Sequence, residues 1–419
     1  MKRRDVEIMA PVGSFETLMA AIQGGAGSVY FGVGHLNMRA RSSANFSLDD
    51  LKQIARTASE YGVKSYLSLN VEIFDNEIQQ MHELLETAKD AGISAVIAAD
   101  ISVIMYARAI GLEVHISTQV NITNIESVRF YSQFADVIVL AREINLGRVH
   151  EITDSIREEC IKGPSGNLVR IEMFVHGALC MAVSGKCYLS LHEMNSSANR
   201  GACLQTCRRA YIVTDKETGA ELEVDNEYIM SPKDLKTIHF LNKILDAGVS
   251  VLKIEGRARS PEYVKSTVEC YREAVNAYFD DTFTKEKIDN WNERLASVFN
   301  RGFWNGYYLG QRLGEWSANY GSQATKRKIY IGRCTNYFTN IKVAEFKLQT
   351  QNLKRGDEIM VTGPTTGLIQ TVVKEIRFDL KPVEEGLKGE LVSVPVEVKL
   401  RRNDKLYKIV DANLVKQRQ

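Results

Sequence analysis

The sequence predicts an α/β fold: a (β/α)8 TIM-like barrel with a Cys-rich insertion after strand 7, followed by a small C-terminal β-barrel domain. Three observations predict this class. Apolar runs of strand length alternate with segments of helical period, and the runs are nearly continuous. Such strands are buried on both faces, as in a parallel sheet covered by helices. After about Lys326, short strands and turns replace that rhythm.

Eight apolar runs are candidate barrel strands, the number that closes such a barrel. The segments between them are amphipathic, begin at Ser or Asp caps and end at Gly, as in SLDDLKQIARTASEYG at 47–62. The candidate strands are VEIMAP (6–11), SVYFGV (28–33), KSYLSLNV (64–71), SAVIAAD (94–100), EVHIST (113–118), DVIVLAR (136–142), VRIEMFVHG (169–177) and VSVLKIEG (249–256).

The seventh unit departs from this alternation. After Gly177 the chain runs through a cysteine-rich insertion at about 178–230, whose second half predicts a hairpin at 210–230. A helix is then predicted from Ser231 and Pro232, as cap and first helical residue. Loops after the strands form the active face of such barrels, so the insertion lies where chemistry is expected.

The sequence divides into three parts. Residues 1–282 form the predicted barrel, which a helix from Ser260 to about Phe279 closes, and 283–325 form a helical connector. Residues 326–419 form the β-domain, whose RGDEIMVTGP segment is similar to the accessory barrel of translation elongation factors. This domain carries clusters of Lys and Arg, which indicate either a solvated surface or RNA backbone contact.

The composition is that of a globular protein. The chain has 419 residues, 44% of them hydrophobic and 25% charged, with a formal net charge of +1. This balance excludes a globally basic nucleic-acid protein but leaves local patches open. The first 25 residues contain no apolar run long enough for a signal peptide or a membrane span. We therefore expect a cytoplasmic protein that does not contact a membrane.

Four of the seven cysteines lie within the insertion, at Cys180, Cys187, Cys203 and Cys207. In a reducing compartment such clusters are metal ligands or catalytic thiols more often than disulfides. Zinc ribbons pair their ligands as two CxxC elements, so this spacing fits them poorly. An iron–sulfur cluster, zinc, and unliganded thiols all stay open at this point. The remaining cysteines are predicted to be core residues: Cys160, Cys270 and Cys334.

The residues around the first two of these cysteines resemble the signature of the collagenase-like peptidase family, peptidase family U32. The resemblance rests on Glu172, Phe174 and the stretch GALCMAVSGKCYLS at 177–190. It extends to APVGSFETLMAAI, SVYFGVGHLNMRARSSANF, NRGACLQTCRRAY and LKIEGRARSPEYV, and so covers the whole barrel.

One barrel followed by a small β-domain is similar to the prephenate-dependent tRNA hydroxylases of this family, which form 5-hydroxyuridine at the wobble position without oxygen. The resemblance implies tRNA as partner, prephenate as co-substrate and a [4Fe-4S] cluster. Its ligands would be Cys180, Cys187, Cys203 and Cys207. In the tRNA branch an aromatic residue often follows the Cys-Arg pair that corresponds to Cys207 and Arg208, whereas this chain has Arg209 there.

Other functions stay open. The ribosomal-RNA hydroxylases of the family are longer, and the partners in ubiquinone-precursor hydroxylation lack the terminal β-domain. A non-catalytic, cluster-carrying RNA-binding protein that acts with a homologous partner is a further alternative. For peptidase activity the sequence offers no HExxH, no GxSxG and no convincing Cys/His pair, although His176 is near Cys180.

Several polar residues are predicted at the mouth of the barrel because they follow its strands. Arginine binds carboxylates in bidentate fashion, so five arginines are candidates for the two carboxylates of prephenate, or are structural salt-bridge partners. They are Arg39, Arg41, Arg142, Arg257 and Arg259. Candidate catalytic residues are Arg257, Glu255, His176 and Gln119. Asn70 could orient substrate, packing is expected for His115, and Glu172 is expected to pair with Lys253 or an arginine.

Overall fold

The computed structural model describes residues 2–41, 45–209, 211–212, 214, 216–219, 230–311, 314–317 and 321–412. Eight parallel strands form a closed barrel, because β9 pairs with both β1 and β7. Each of the eight lies inside a predicted strand, which confirms the predicted fold class. The strands of this sheet are β1 (Glu7–Pro11), β2 (Ser28–Phe31), β3 (Lys64–Leu69), β4 (Ala95–Ala98), β5 (Glu113–Ile116), β6 (Val137–Val139), β7 (Arg170–Gly177), β8 (Asp234–Lys236), β9 (Val251–Ile254) and β10 (Phe303–Trp304).

Helices surround the barrel and bury their apolar faces against it. Their caps follow from the sequence: Ser14, Asp100, Asn124 and Asn145 each accept a hydrogen bond from a backbone N–H of the first turn. The helices are α1 (Phe15–Gln23), α2 (Asp50–Glu60), α3 (Ile78–Asp90), α4 (Ile101–Ala109), α5 (Ile125–Ser132), α6 (Leu146–Glu158), α7 (Leu189–Met194), α8 (Leu241–Asp246), α9 (Pro261–Phe279) and α10 (Lys285–Ser297). No helix within the described ranges is long and apolar enough to cross a membrane.

The helix predicted from Ser231 is wrong at its start. Instead, β8 runs antiparallel to the end of β7, with Lys236 opposite His176, and α8 begins only at Leu241. The last residues of β7 extend beyond its barrel neighbours and leave backbone groups that β8 satisfies. The hairpin predicted at 210–230 lies largely outside the described residues.

Two of the three cysteines predicted as core residues are buried, Cys270 in α9 and Cys334 in the β-domain. The prediction for Cys160 is wrong. It is exposed just after α6, where it has a left-handed backbone with φ of 53°. The chain turns there, so the helical pattern that suggested burial has already ended.

The C-terminal domain is an antiparallel sheet folded around its own apolar core, with strand order β15–β14–β20–β11–β12–β19–β16–β17. Among the described residues no pairing of β15 with β17 closes it into a continuous barrel. Its strands are β11 (Lys326–Phe338), β12 (Val343–Leu348), β13 (Leu353–Lys354), β14 (Glu358–Gly363), β15 (Gly367–Val372), β16 (Ile376–Phe378), β17 (Lys381–Val383), β18 (Glu385–Gly386), β19 (Leu391–Pro395) and β20 (Lys405–Asp411).

The C-terminal domain packs against the first helix of the barrel. Gln23 of α1 donates a hydrogen bond of 2.9 Å to the carbonyl of Thr366 and accepts one of 2.9 Å from the N–H of Leu368. Ala20, Met360 and Leu368 are buried together beside this contact. Polar and apolar contacts thus join the two domains.

Candidate functional site

A cavity of about 340 Å³ lies at the carboxyl ends of the barrel strands. Its floor includes Tyr30, Phe174 and Lys253 from inside the barrel, and the cysteine-rich insertion forms part of its wall. In TIM barrels this end carries the catalytic groups, because the strand-to-helix loops converge there.

The four cysteines of the insertion line this cavity, although 27 positions separate the first from the last. The backbone makes the arrangement through tight turns. Gly185 and Gly201 have φ of 77° and 76°, and a Cβ on Gly201 would meet the carbonyl oxygen of Asn37. Ser190, buried at the start of α7, accepts a hydrogen bond of 3.1 Å from the N–H of Leu204. These contacts hold the insertion against the loop after β2.

The thiols are close enough to influence one another. Burial raises the pKa of Cys207 to about 11, Arg208 opposes the shift, and Cys180, Cys203 and Cys187 add to it. Burial in turn lowers the pKa of Arg208 to about 10, with a further contribution from Arg301. Four soft donors beside buried cations are suited to a thiolate-bound metal centre.

The positions of the four thiols limit which kinds of metal centre they could bind. Among the described residues, no three His, Cys, Asp or Glu side chains converge closely enough to hold a single metal ion. A four-iron cluster spreads its cysteine sulfurs over a wider volume than one ion does. Four free thiols around a shared cavity are donors that a thiolate-bound metal centre, an iron–sulfur cluster or a zinc ion, would use.

An ion pair and a tyrosine organise one side of the cavity. Arg39 donates to Glu255 at 2.9 Å, and the hydroxyl of Tyr30 lies 3.3 Å from the other oxygen of the same carboxylate. Burial acts to raise the pKa of Glu255, but Arg39, Arg142 and Arg257 together hold it below its usual value. Glu255 is therefore an anion at neutral pH and sets where the nearby guanidinium groups lie.

Two arginines that line the cavity each keep one buried nitrogen without a hydrogen-bond partner among the described residues. Arg257 is 6% exposed, and its Nη1 has no hydrogen-bond partner in the described part of the chain, while burial lowers its pKa to about 10. It fits only because residue 32 is glycine: a Cβ there would meet Nη1. Arg142 stacks 3.9 Å over Phe174 and donates to the carbonyl of Ala178, and its Nε has no hydrogen-bond partner within the described ranges. Unpartnered buried donors of this kind are suited to an anionic ligand.

The other predicted site residues divide into two groups. Gln119 lines the cavity, where its Oε1 accepts a hydrogen bond from Ser117, and Arg259 lines it while stacking 3.6 Å over Phe299. Arg41 and His176 lie outside the cavity lining. Arg41 is exposed, and His176 is packed against Tyr263, Tyr271 and Phe303.

A register shift in β7 explains the position of His176. Glu172 and Phe174 face the barrel axis, and strict alternation would place His176 on the same face. The pairing with β9 is irregular between Phe174 and His176, and such a bulge turns the following side chain. His176 is 1% exposed, and burial, then Lys236 and Arg259, lower its pKa to about 3.

Sequence reasoning missed several residues that line the cavity, among them Tyr30, Ser68, Ser184 and Arg301. Tyr30 could have been found from its position inside an apolar strand that leads into the loop of Arg39. The sequence does not indicate Arg301 as a site residue, because it follows α10 and not a barrel strand. An ion pair with Asp234, at 3.3 Å, positions it at the mouth.

The chain is thus a closed α/β-barrel protein with a cavity at its loop end that is lined by thiols and arginines. The family model of Peptidase family U32 matches residues 13–318, and the chain belongs to this family.

Three relatives illustrate the range of names within the family. A protein named collagenase from Porphyromonas gingivalis is 60% identical over 408 residues, 97% of this chain and 99% of that protein. The tRNA hydroxylation protein P1 of Bacillus subtilis is 31% identical over 411 residues, 96% of this chain and 93% of that protein. A 23S rRNA 5-hydroxycytidine synthase of Escherichia coli is 34% identical over 280 residues, 66% of this chain and 40% of that protein.

Proposed function

We propose that this chain is an enzyme that hydroxylates RNA without oxygen, forming 5-hydroxyuridine at the wobble position of tRNA with prephenate as the hydroxyl donor. The observation that carries the proposal is the meeting of four thiols and two incompletely bonded arginines, Arg142 and Arg257, in one cavity. The relatives named for tRNA and ribosomal-RNA hydroxylation support RNA as the substrate.

The arginines provide the anion site that prephenate requires. Its two carboxylates need at least two donors; Arg142 and Arg257 line the cavity, and each keeps one nitrogen without a hydrogen-bond partner among the described residues. Glu255 fixes Arg39 at the same mouth through their ion pair. We assign Arg257 and Arg142 to the carboxylates, and Gln119 and Arg259 to the orientation of the bound ligands.

The thiols provide a place for an iron–sulfur cluster. Cys180, Cys187, Cys203 and Cys207 would hold a [4Fe-4S] cluster, which when bound supplies one-electron chemistry beside the substrates. Arg208 donates to the carbonyls of Leu179 and Pro232 and so ties the start of the insertion to β8. Its charge offsets that of the nearby thiolates, which favours metal binding over protonated thiols.

Peptide-bond hydrolysis is the second candidate, favoured by the relative named collagenase. It requires an activated nucleophile or a metal-bound water. Among the described residues no histidine lines the cavity that the four thiols share. The proposed hydroxylase gives a role to the four thiols and to Arg142 and Arg257, whereas a peptidase leaves the arginines without a role.

The test compares wild type with Cys187→Ala, which removes a cavity thiol, and Cys160→Ala, which removes an exposed thiol outside the cavity. Each protein is purified without oxygen and analysed for iron, acid-labile sulfide and visible absorption. Each is also expressed in cells that lack the native protein, and 5-hydroxyuridine in tRNA is measured by mass spectrometry. We expect about four irons per chain and restored hydroxylation for wild type and Cys160→Ala, and loss of both for Cys187→Ala.

Two results would contradict the proposal. Wild type that holds zinc or no metal after anaerobic purification would exclude the cluster. Cleavage of gelatin by wild type but not by Cys187→Ala, without 5-hydroxyuridine in tRNA, would favour the peptidase.

A further inference from the structure

Three cationic side chains of the C-terminal domain face each other directly across adjacent strands. In the sheet register Arg333 of β11 is opposite Lys347 of β12 on one side and Lys405 of β20 on the other. Residues in register point to the same face, and neighbouring strands are about 4.8 Å apart, so the backbone positions of the three residues lie within about 10 Å. We call Lys347, Arg333 and Lys405 the basic row.

Such an arrangement is unfavourable for the isolated sheet, because like charges directly opposite each other destabilise a strand pair. Within the described part of the chain, neither the Arg333 nor the Lys405 side chain forms an ion pair or hydrogen bond, and both are exposed. Lys347 Nζ donates only to the carbonyl of Gly389, at 2.6 Å. The adjoining loop adds Arg401 and Arg402, both exposed.

Many of the other cations in the domain form ion pairs with acidic side chains. Seven of them have an acidic partner within 4.0 Å: Lys326, Lys328, Lys342, Lys354, Arg355, Arg377 and Lys408. Arg327, Lys374, Lys381, Lys388 and Lys399 have none among the described residues, but no other cation is opposite them in the sheet. The concentration of unpaired charge at the basic row is therefore a local feature.

The basic row continues the sheet face that packs on the barrel. Lys405 is opposite Thr362, and two residues along the same strands Tyr407 is opposite Met360, which is buried against Ala20 of α1. Asp404, next to Lys405, accepts a hydrogen bond of 2.5 Å from Thr366, whose carbonyl accepts one from Gln23 of α1. The Lys405 end of the basic row thus lies beside the junction of the two domains.

We propose that the basic row, with Arg401 and Arg402, is the surface that binds the phosphate backbone of the RNA substrate. The inference rests on the proposed function for the choice of RNA. A chain of phosphates provides negative charges in series, which matches cations arranged in a line across three strands. Bound there, the RNA contacts the C-terminal domain beside α1 of the barrel and is held in place for the barrel to act on it.

The experiment compares two triple variants with equal loss of charge. One is Arg333→Gln, Lys347→Gln and Lys405→Gln in the full chain. The matched control is Lys342→Gln, Lys354→Gln and Arg355→Gln, which removes exposed cations of the same domain that already have acidic partners. Binding of unmodified tRNA is measured by fluorescence anisotropy between about 50 and 200 mM salt. Thermal unfolding is measured for both.

For the basic-row variant we expect tRNA affinity to fall about 10- to 100-fold near 100 mM salt, and the slope of log K against log salt to become shallower by about 2 to 3. We expect its midpoint of unfolding to stay equal or rise, because repulsion between like charges is removed. The control should keep the wild-type affinity and slope.

The other outcomes separate the alternatives. Equal effects in both variants, or none in either, would overturn the basic row as an RNA surface. Loss of binding to vesicles of anionic phospholipid, with tRNA binding unchanged, would assign the row to a membrane surface instead. Row-dependent tRNA binding by a protein that forms no 5-hydroxyuridine in cells would uphold the surface and refute the proposed reaction.

Discussion

The ammonium group of Lys253 lies 2.6 Å from a carboxylate oxygen of Glu172 inside the barrel, directly below the cavity. Glu172 is fully buried, and its second oxygen lies 3.9 Å from Nδ1 of His115; neither of these two atoms has a hydrogen-bond partner among the described residues. TIM-barrel interiors are commonly filled by branched aliphatic residues. An ion pair in that place costs desolvation energy, so we infer that the cavity requires the positive charge of Lys253.

Replacing one member of this pair tests its energetic role. Glu172→Gln leaves Lys253 without its carboxylate, and we expect a loss of about 3–5 kcal/mol in the free energy of unfolding, measured with urea. The double variant Glu172→Leu with Lys253→Met removes both charges at similar volume and should recover most of that loss. It should nevertheless lack hydroxylase activity. An active double variant would show that the cavity does not need the ammonium group.

Arg257→Met separates ligand binding from stability. Because Nη1 of Arg257 is buried without a partner, we expect the unliganded variant to unfold at the wild-type temperature or above. Its affinity for prephenate, measured by calorimetry, should fall about 10- to 100-fold. Arg41→Met is the matched control, since Arg41 follows the same strand as Arg39 but lies outside the cavity lining. Equal prephenate affinity in the two variants would contradict the assignment of Arg257.

His176 should make stability depend on pH. Its pKa is about 3 in the folded protein, chiefly because it is buried, and about 6.5 when unfolded. The unfolded chain therefore binds the proton first, and stability falls as pH decreases from 6.5 toward 3. Between pH 7 and 5 the contribution is about 2 kcal/mol. Urea unfolding should show a shallower pH dependence for His176→Gln than for wild type.

A control for the His176 experiment is His150→Gln, which removes a half-exposed histidine of α6 whose partner is Asp154. Exposed pairs of this kind contribute little to stability. This variant should keep the wild-type pH dependence. The same dependence in His176→Gln and wild type would show that His176 is not buried as a neutral group.

Gly177 is the point where β7 passes into the insertion, and its substitution tests how closely the chain approaches β9. Gly177 has φ of 103°, and a Cβ there would meet the carbonyl oxygen of Glu255 and lie 2.8 Å from the hydroxyl of Tyr263. Gly166 has a similar φ of 79° but open space around it. In urea unfolding we expect a loss of about 1–2 kcal/mol for Gly166→Ala and a larger loss for Gly177→Ala, because only the latter adds a clash. Equal losses would show that Gly177 is required only for its backbone angles.

The sequence alone predicted the eight barrel strands and the position of the insertion. Continuous apolar runs such as VEIMAP need burial on both faces, and this requirement is local enough to be seen without any contact information. Because parallel strands end on the same side of the barrel, the sequence also placed Arg39, Arg142, Arg257 and Glu255 at one mouth, and all four line the cavity.

Only the tertiary structure decided features that depend on pairing between distant segments. The β-bulge beside Phe174 turns His176 out of the cavity. Asp234–Lys236 forms a strand instead of a helix because it pairs with the end of β7. The alignment of Arg333 with Lys347 and Lys405 likewise depends on strand register. Register is set by the packing of whole sheets, so residues far apart in sequence become neighbours for reasons that no local pattern contains.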